Sequence, residues 1–319
     1  MLVTGGSGFI GTNLVGAYRT AGVLVRNADI VAPRNPADRD LWVEANVNQR
    51  DSLHAVVENF RPTHVYHLGA RTDLDGDQLT DYPTNTSGVT NVVEVLHGAS
   101  TRPARLVVAS SRMVCKIGYQ PKSDEDYCPP NAYGASKVET ERIVRATAEI
   151  PWVLVRPTSI WGPWFDVPYR DFFLSIARGR YVHPAGRSIP KNFGYVGNTI
   201  WQLHRLMTAA EPDVNARTFY LGDPEIEVRD FADRISRALG RRRTREVPLG
   251  VLRVLALTGD IMERAGRRAP LTSFRLDNLL TPMHHDLNAL AAVTGEPPFG
   301  LNESVPTTVA WLREQRLVV

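Results

Sequence analysis

Cysteine is scarce in this chain: the 319 residues contain two, Cys115 and Cys128. Two cannot make a disulfide framework, and such usage fits a reducing compartment. Long apolar runs are missing as well. None reaches the ~18 to 20 residues that span a bilayer, and the chain opens directly on a strand pattern instead of a leader. A soluble, cytoplasmic protein is therefore expected. An excess of one charge is also lacking, since 37 Lys and Arg against 34 Asp and Glu leave a net +3. Basic residues cluster only at Arg241-Arg242-Arg243 and Arg267-Arg268, which read as solvated helix ends or loops. Nothing here demands nucleic acid or a membrane as partner. Internal repeats and low-complexity segments are absent, and no linker separates independent modules. A chain of this length, 43% hydrophobic, can bury a large α/β core, with or without a smaller lobe.

What is present is concentrated at the start. The apolar run Leu2-Val3-Thr4 leads into Gly5, Gly8 and Gly11, and Leu14, Val15, Ala17 and Tyr18 then recur at helical spacing. Strand, tight turn and helix in that order suit a dinucleotide. The first glycine permits the turn, the second lets backbone N–H groups approach a pyrophosphate, and the third allows helix and strand to pack closely. The second strand pattern, 23–29, ends on Asp29. A carboxylate there accepts both ribose hydroxyls and repels a 2′-phosphate, which favours NAD over NADP, although Arg26 and Arg34 nearby soften that choice.

The following stretches continue the alternation. Residues 31–39 read as a loop, 52–60 as a helix, and 62–70 as a buried strand whose small final residues leave room for a cofactor. His64 and His67 alternate with apolar residues in that strand and read as core or hydrogen-bonded histidines, so no metal site is expected. Asp73, Asp75 and Asp77 surround Gly76 in a polar loop that lacks the closing glutamate of a calcium site. A helix pattern covers 85–96, and the apolar strand 105–111 ends in two hydroxyls, Ser110 and Ser111. Such strand ends lie at the carboxyl edge of a parallel sheet, where ligands bind. Tyr133-Gly134-Ala135-Ser136-Lys137 then opens a helix that runs to about Ala148. Four residues apart, Tyr133 and Lys137 share a face. An ammonium beside a phenol, whose ordinary pKa is ~10, draws it towards the working range of a base.

Past residue 163 the alternation loosens. Trp161, Trp164, Phe165, Tyr169, Phe172 and Phe173 crowd together, as core packing or as an aromatic wall for a base or sugar. Arg170, Arg187, Lys191 and Arg275 are candidates for anion contacts. A late strand is expected at 219–222, an amphipathic helix at 228–239, and a buried or interface helix at 251–265. The tandem pair His284-His285 reads as structural.

These motifs together resemble the extended short-chain dehydrogenase/reductases, the NAD-dependent epimerase/dehydratase family of nucleotide-sugar enzymes. The matching segments are Thr4-Gly5-Gly6-Ser7-Gly8-Phe9-Ile10-Gly11, His67-Leu68-Gly69-Ala70, Asn85 with Gly88, Ser110-Ser111 with Val114, and Tyr133 with Lys137. Arg156-Pro157 to Trp161-Gly162-Pro163, Lys191 to Val196 and the tail from Asp286 to Trp311 extend the match over nearly the whole chain. The resemblance implies a doubly wound parallel-sheet Rossmann domain, 1–163 with returns around 191–224, and a smaller C-terminal substrate-binding lobe, 164–319. It further implies a homodimer formed through helices that include the one bearing Tyr133. Cofactor contacts are then expected at Gly5, Gly8, Phe9, Ile10, Gly11, Asp29, Asn46, Val47, Leu68, Gly69, Ala70, Arg71, Asn85 and Pro157, along with Tyr133 and Lys137. Substrate contacts are expected at Arg71, Arg112, Met113, Ser159, Lys191 and Arg275. In the implied mechanism Tyr133 takes a proton from a sugar hydroxyl while hydride moves to the nicotinamide. Ser111 holds the oxygen, and Lys137 holds the nicotinamide ribose and lowers the pKa of the tyrosine.

Departures from the family pattern narrow the reaction. Arg112 and Met113 stand where the family's dehydratases carry an acid pair, so elimination of water by the usual route is disfavoured. Cys115 and Lys116 replace a Tyr-Gly, and Cys115 reads as a small apolar filler more readily than as a nucleophile. Asn46 replaces an adenine-contacting aspartate, Ser159 an asparagine, Lys191 a diphosphate-contacting arginine, and Gly197-Asn198 a site usually ending in aspartate. The expected function is a 4-epimerase-type hydride transfer on a nucleotide-diphosphate sugar. The alternatives are an NAD(P)-dependent dehydrogenase or ketoreductase of a keto-sugar, a sterol-like alcohol or another small ketone, and a non-catalytic dinucleotide-binding protein.

Overall fold

A computed structural model describes residues 1–146, 149–264, 266–267, 269 and 271–319. Six strands in the first half, β1 (Leu2–Thr4), β2 (Arg26–Asp29), β3 (Trp42–Glu44), β4 (His64–His67), β5 (Arg105–Ala109) and β6 (Trp152–Pro157), are joined in one parallel sheet by a later strand, Arg217–Leu221. The spatial order is Arg217–Leu221, β6, β5, β4, β1, β2, β3. Val3 of β1 pairs with Asn27 on one side and Tyr66 on the other. The order therefore reverses at β1 and β4, and a crevice at the carboxyl ends of those strands is the standard ligand position of such sheets.

Four helices make the crossovers of the first half: α1 (Phe9–Thr20), α2 (Arg50–Phe60), α3 (Ser87–Gly98) and α4 (Ala132–Arg145). Both sheet faces are covered, so the central strands are largely apolar, as parallel strands are. On one face Leu2, Val65, Leu106 and Leu154 pack with Leu53, Val57, Val92 and Leu96 of α2 and α3. On the other, Val3, Tyr66, Val107 and Val153 pack with Leu14 and Val15 of α1 and with Leu203 and Leu206 of the helix Val196–Thr208. Burial of each such Leu or Val side chain is worth about 1.5–3 kcal/mol.

The sequence reading differs from the structure in several places. The strand expected from residue 23 begins at Arg26. Val23 and Leu24 are 36% and 74% exposed, because the Val23 N–H donates to the Tyr18 carbonyl at the end of α1, at 2.9 Å. Strand β3 was not foreseen; it is three residues long, sits at the sheet edge and is only half-buried. The helix expected from residue 85 begins at Ser87, since Pro83–Asn85 form a 3₁₀ turn. The part of the α4 expectation that reaches Thr147 and Ala148 lies outside the described residues.

The chain divides into two compact units. The sheet unit comprises 1–160, 194–223 and 286–298, and the second unit 161–193, 224–285 and 299–319. In the second unit the crowded aromatics form a core. Trp161 lies 4.9 Å from Phe231 between ring centroids, Phe165 lies 5.2 Å from Phe173, and all four rings are fully buried. Trp161, Phe165 and Phe173 are therefore packing residues, while Trp164, Tyr169 and Phe172 are half-buried. The expected helix at 228–239 is Val228–Ala238, bearing Phe231. The one expected at 251–265 is Leu249–Arg264, with Ala265, like Arg268 of the basic pair, outside the described residues. It packs through Leu252 and Ala256 against Leu276 of the helix Ser273–Leu280. Among the described residues no helix is long and apolar enough to cross a membrane.

Candidate active site

The glycine turn has the geometry that its spacing implies. Gly5 adopts φ +73°, and a Cβ there would meet the Gly69 Cα at 2.6 Å, so both the conformation and the close approach of β1 to β4 require glycine. A Cβ on Gly11 would meet the Gly6 Cα at 2.6 Å. Gly8 donates to the Gly5 carbonyl at 3.1 Å and precedes α1 with no side-chain cap. The first intrahelical bond is Thr12 N–H to the Gly8 carbonyl, at 2.8 Å. The N–H groups of Phe9, Ile10 and Gly11 thus precede the helical ladder, at the positive end of its dipole.

Asp29 ends β2. Its Oδ2 accepts the Ser7 N–H at 3.0 Å and its Oδ1 the Val31 N–H at 3.2 Å, which fixes the carboxylate and leaves each oxygen further acceptor capacity. Arg34 donates from Nε to the Ser7 carbonyl at 3.2 Å. The Asn46 Oδ1 accepts the Asn48 N–H at 2.9 Å, and the buried Val47 offers its carbonyl to Asn91 Nδ2 at 2.9 Å. Half-buried Leu68, Gly69 and Ala70 follow β4 beside the glycine turn, with the Leu68 N–H on the Thr4 carbonyl at 2.9 Å. Gly-lined turn, uncapped helix start and anchored carboxylate fit an adenine dinucleotide.

Asn85 is fully buried and its amide is committed to protein. Oδ1 accepts the Arg71 N–H at 2.9 Å, while Nδ2 donates to the Arg71 carbonyl at 2.9 Å and to Ser136 Oγ at 2.8 Å. Ser136 in turn donates to the Tyr133 carbonyl at 2.7 Å. One side chain therefore ties the loop after β4 to the start of α4. The Arg71 guanidinium is engaged by Asp73 at 2.8 Å and by the Asp81 carbonyl at 2.6 Å, which makes the Asp73 loop an arginine-anchored turn.

Ser111, Tyr133 and Lys137 come together beyond the carboxyl end of β5. Asn131 caps α4 by accepting the Gly134 N–H at 2.9 Å. Gly134 lies flat against the Met113 carbonyl where a Cβ would clash, which lets the 112–114 turn sit on the helix. Ser111 begins that turn, accepting the Met113 N–H at 3.1 Å. Burial pushes the nearby Tyr133 phenol above its ordinary pKa, while the Ser111 hydroxyl and the charge of Arg112 pull it down. Lys137 is 3% exposed and donates from Nζ to the Ala109 carbonyl at 2.8 Å. Burial lowers the pKa of its ammonium to about 8. Arg112 thus adds a positive charge near the phenol, alongside Lys137, to which the sequence reading gave that role. Behind Lys137, His67 shares a proton with Thr4 Oγ1 at 2.6 Å, and burial with the Lys137 charge pushes its pKa down to about 3. It is a neutral, hydrogen-bonded core histidine.

The sequence reading passed over two carboxylates, the first of which holds this arrangement. Glu141, one turn beyond Lys137, is wholly buried and forms a bidentate pair with Arg156 of β6, Nε to Oε1 at 2.8 Å and Nη2 to Oε2 at 2.7 Å. Ser110 and Tyr127 donate to the same carboxylate at 2.6 and 2.9 Å. Asp223, just past the strand Arg217–Leu221, accepts the Tyr195 N–H at 2.7 Å and Asn198 Nδ2 at 2.9 Å, and burial pushes it up to about 7. The signal for it lay in Asn198, which stands where an aspartate was expected.

Of the expected substrate residues, Arg71, Arg112, Met113 and Ser159 lie in the sheet unit, Ser159 being buried. Pro157 closes β6. Lys191 and Arg275 belong to the second unit. There Lys191 Nζ donates to the Asn278 carbonyl at 2.6 Å, and Arg275 contacts Glu263 at 3.7 Å. Cys115 is buried, donates to the Asp126 carbonyl at 3.3 Å and has its thiol pKa raised by burial, the state of a filler and not of a nucleophile.

Comparison with known proteins agrees with this geometry. The model of the NAD dependent epimerase/dehydratase family matches residues 1–186. The 3 beta-hydroxysteroid dehydrogenase/Delta 5→4-isomerase of Mycobacterium tuberculosis is 29% identical over 265 residues, 76% of this chain and 70% of its own length. A UDP-glucose 4-epimerase of Vibrio cholerae is 26% identical over 191 residues, 56% of this chain and 57% of its own. Among solved structures, the UDP-glucose 4-epimerase of Thermotoga maritima with UDP-glucose superposes with a TM-score of 0.74 at 18% identity, covering 99% of both chains.

Proposed function

Because the chain belongs to the NAD-dependent epimerase/dehydratase family, we propose that it oxidises a secondary alcohol to a ketone with Ser111, Tyr133 and Lys137 at the reacting carbon. The observation that carries this reading is the placement of Ser111, in the turn after β5, against the start of α4, where Gly134 lies on the Met113 carbonyl, with Tyr133 and the Lys137 ammonium one helical turn apart on that helix. Bound NAD supplies the hydride acceptor. Gly5, Gly8 and Gly11 with the start of α1 would hold its pyrophosphate, and Asp29 its adenosine ribose. Tyr133, once ionised, takes the hydroxyl proton. Ser111 donates to the same oxygen as it becomes a carbonyl, and the charges of Arg112 and Lys137 favour the phenolate.

The substrate we infer is an alcohol without a diphosphate. Lys191, the residue expected to meet a diphosphate, donates to the Asn278 carbonyl at 2.6 Å, and Arg275, an expected anion contact, lies 3.7 Å from Glu263. A hydroxysteroid-like alcohol matches that reading and the dehydrogenase among the relatives. A second reading, 4-epimerisation of a nucleotide-diphosphate sugar by a homodimer, is favoured by the epimerase relative at 26% identity.

The test is to denature freshly purified protein without added cofactor and identify the released nucleotide. Little nucleotide, followed by NAD-dependent oxidation of a 3β-hydroxysteroid, supports the dehydrogenase. Stoichiometric NAD with turnover of a UDP-sugar supports the epimerase and overturns the first reading.

A further inference from the structure

The helix Leu249–Arg264 of the second unit has two apolar faces, and only one is used. Leu252, Ala256 and Gly259 are buried. On the opposite side Val251, Val254, Leu255, Leu257, Ile261 and Met262 are 50, 61, 51, 59, 66 and 39% exposed. At about 100° per residue these six fall on one arc of about 160° that no charged side chain interrupts. On the next helix, Ser273–Leu280, Phe274 is 75% exposed. Contiguous apolar exposure of this kind marks an interaction surface and not the scattered exposure of an ordinary monomer.

The segment that carries this helix is rich in positive charge. Residues 241–268 hold eight arginines and three acids, a net +5 within a chain whose total is +3, so the remainder carries −2. The three acids are all engaged: Glu246 with Arg229 at 2.6 Å, Asp260 with the Ser273 N–H at 2.9 Å, and Glu263 with Arg275 at 3.7 Å. Arg241, Arg242, Arg243, Arg245, Arg253 and Arg267 are exposed. Sixteen residues at 1.5 Å each are too short to span a bilayer, and Arg253, Asp260 and Glu263 interrupt the sequence. An apolar arc bordered by arginines is the signature of a helix that lies in a membrane interface, its side chains among the acyl chains and its guanidinium groups on lipid phosphates.

We propose that the exposed face of Leu249–Arg264 docks this protein on the surface of an anionic lipid bilayer. The net charge near neutrality conceals this feature, since the basic segment is offset by a mildly acidic remainder. Docking is independent of which alcohol is oxidised, and binding can be read without any activity.

The experiment is co-sedimentation of the full chain with phosphatidylglycerol-containing vesicles and with pure phosphatidylcholine vesicles, at low salt and in 0.5 M NaCl. Expected is binding to the anionic vesicles, weakened by salt and reduced about tenfold or more in a Val254→Asp, Ile261→Asp variant whose Tm is unchanged. A single Arg253→Glu variant, which leaves the apolar arc intact, should weaken binding by a smaller factor. Failure to sediment with anionic vesicles, or equal sedimentation of wild type and the double variant, would overturn the proposal. It is equally overturned if the lipid-free wild type is a dimer by ultracentrifugation and the double variant a monomer, since a second copy then covers the face.

Discussion

Glu141 and Arg156 form a bidentate ion pair, at 2.8 and 2.7 Å, in which neither side chain exceeds 1% exposure. The pair joins α4, which carries Tyr133 and Lys137, to β6. The same carboxylate holds Ser110, the residue before Ser111, at 2.6 Å. The geometry of Ser111, Tyr133 and Lys137 is therefore set from behind, by a buried ion pair. The Arg156 guanidinium also lies over the Tyr220 ring at 5.2 Å and the Tyr127 ring at 5.7 Å, so its remaining faces are filled.

Removing one partner leaves the other charge buried and unpaired, which costs about 3–5 kcal/mol. Glu141→Ala should thus lower the Tm by many degrees, read by calorimetry. Glu141→Leu with Arg156→Met, which removes both charges, should recover much of the loss. A Glu141→Ala variant as stable as wild type would show that the pair is not closed from water.

Tyr133→Phe removes the proton acceptor and leaves the fold alone, since the phenol lies at the site while the ring keeps its packing against Tyr82 at 6.0 Å. Turnover should fall by about 10²- to 10⁴-fold, the range for a general acid–base group, with NAD affinity and Tm unchanged. Retained turnover would remove Tyr133 from the chemistry.

On the proposed reading Asp29 sets the preference between the two nicotinamide dinucleotides. Asp29→Ala deletes the ribose acceptor and the negative charge that repels a 2′-phosphate, while Arg34, held near Ser7 at 3.2 Å, remains. The ratio of NAD to NADP affinities, measured by titration calorimetry, should fall about tenfold or more, as expected for loss of about 1.4 kcal/mol of discrimination. An unchanged ratio would place the ribose elsewhere.

The buried Lys137 links stability to alkaline pH. Its folded pKa, about 8, is below the ordinary 10.5, so the folded state gives up this proton more readily than the unfolded chain. Its contribution is complete above pH 10.5 and is lost as pH falls through 8. The Tm of wild type relative to Lys137→Met should accordingly rise between about pH 8 and 10.5. A flat difference over that window would mean that the ammonium is hydrated.

Much of this was legible in the residues, and the gaps have physical causes. Gly5, Gly8, Gly11 and Asp29 are tied to backbone conformation and hydrogen bonding within one βαβ unit, where spacing alone carries the information. The apolar runs of β5 and β6 declare themselves because both sheet faces are covered. Strand β3, short and half-buried, has neither run nor alternation to betray it. Glu141 was missed because its partner lies 15 residues on, on another element, and pairing across that distance depends on the tertiary fold. The helix Leu249–Arg264 was expected to be buried or at an interface from its apolarity. Composition cannot say which apolar residues find a neighbour, and the structure leaves one whole arc of them exposed.

Arg112 offers the finest test of the site electrostatics. It replaces an acid at the catalytic turn, is half-buried, and has no ion-pair partner among the described residues. Its charge reaches the Tyr133 phenol and favours the ionised form, the form that can accept the substrate proton. Taking the charge away leaves burial unopposed on that side, so the phenol ionises at higher pH. Arg112→Ala should shift the acidic limb of the kcat/KM profile upward by up to about one unit, following the effect of a nearby opposite charge. Activity at neutral pH then falls by up to about tenfold and recovers on the alkaline side, and Arg112→Lys should restore most of the profile. A loss that is equal at every pH would instead make Arg112 a contact of the substrate itself, and an unmoved profile would remove it from the chemistry altogether.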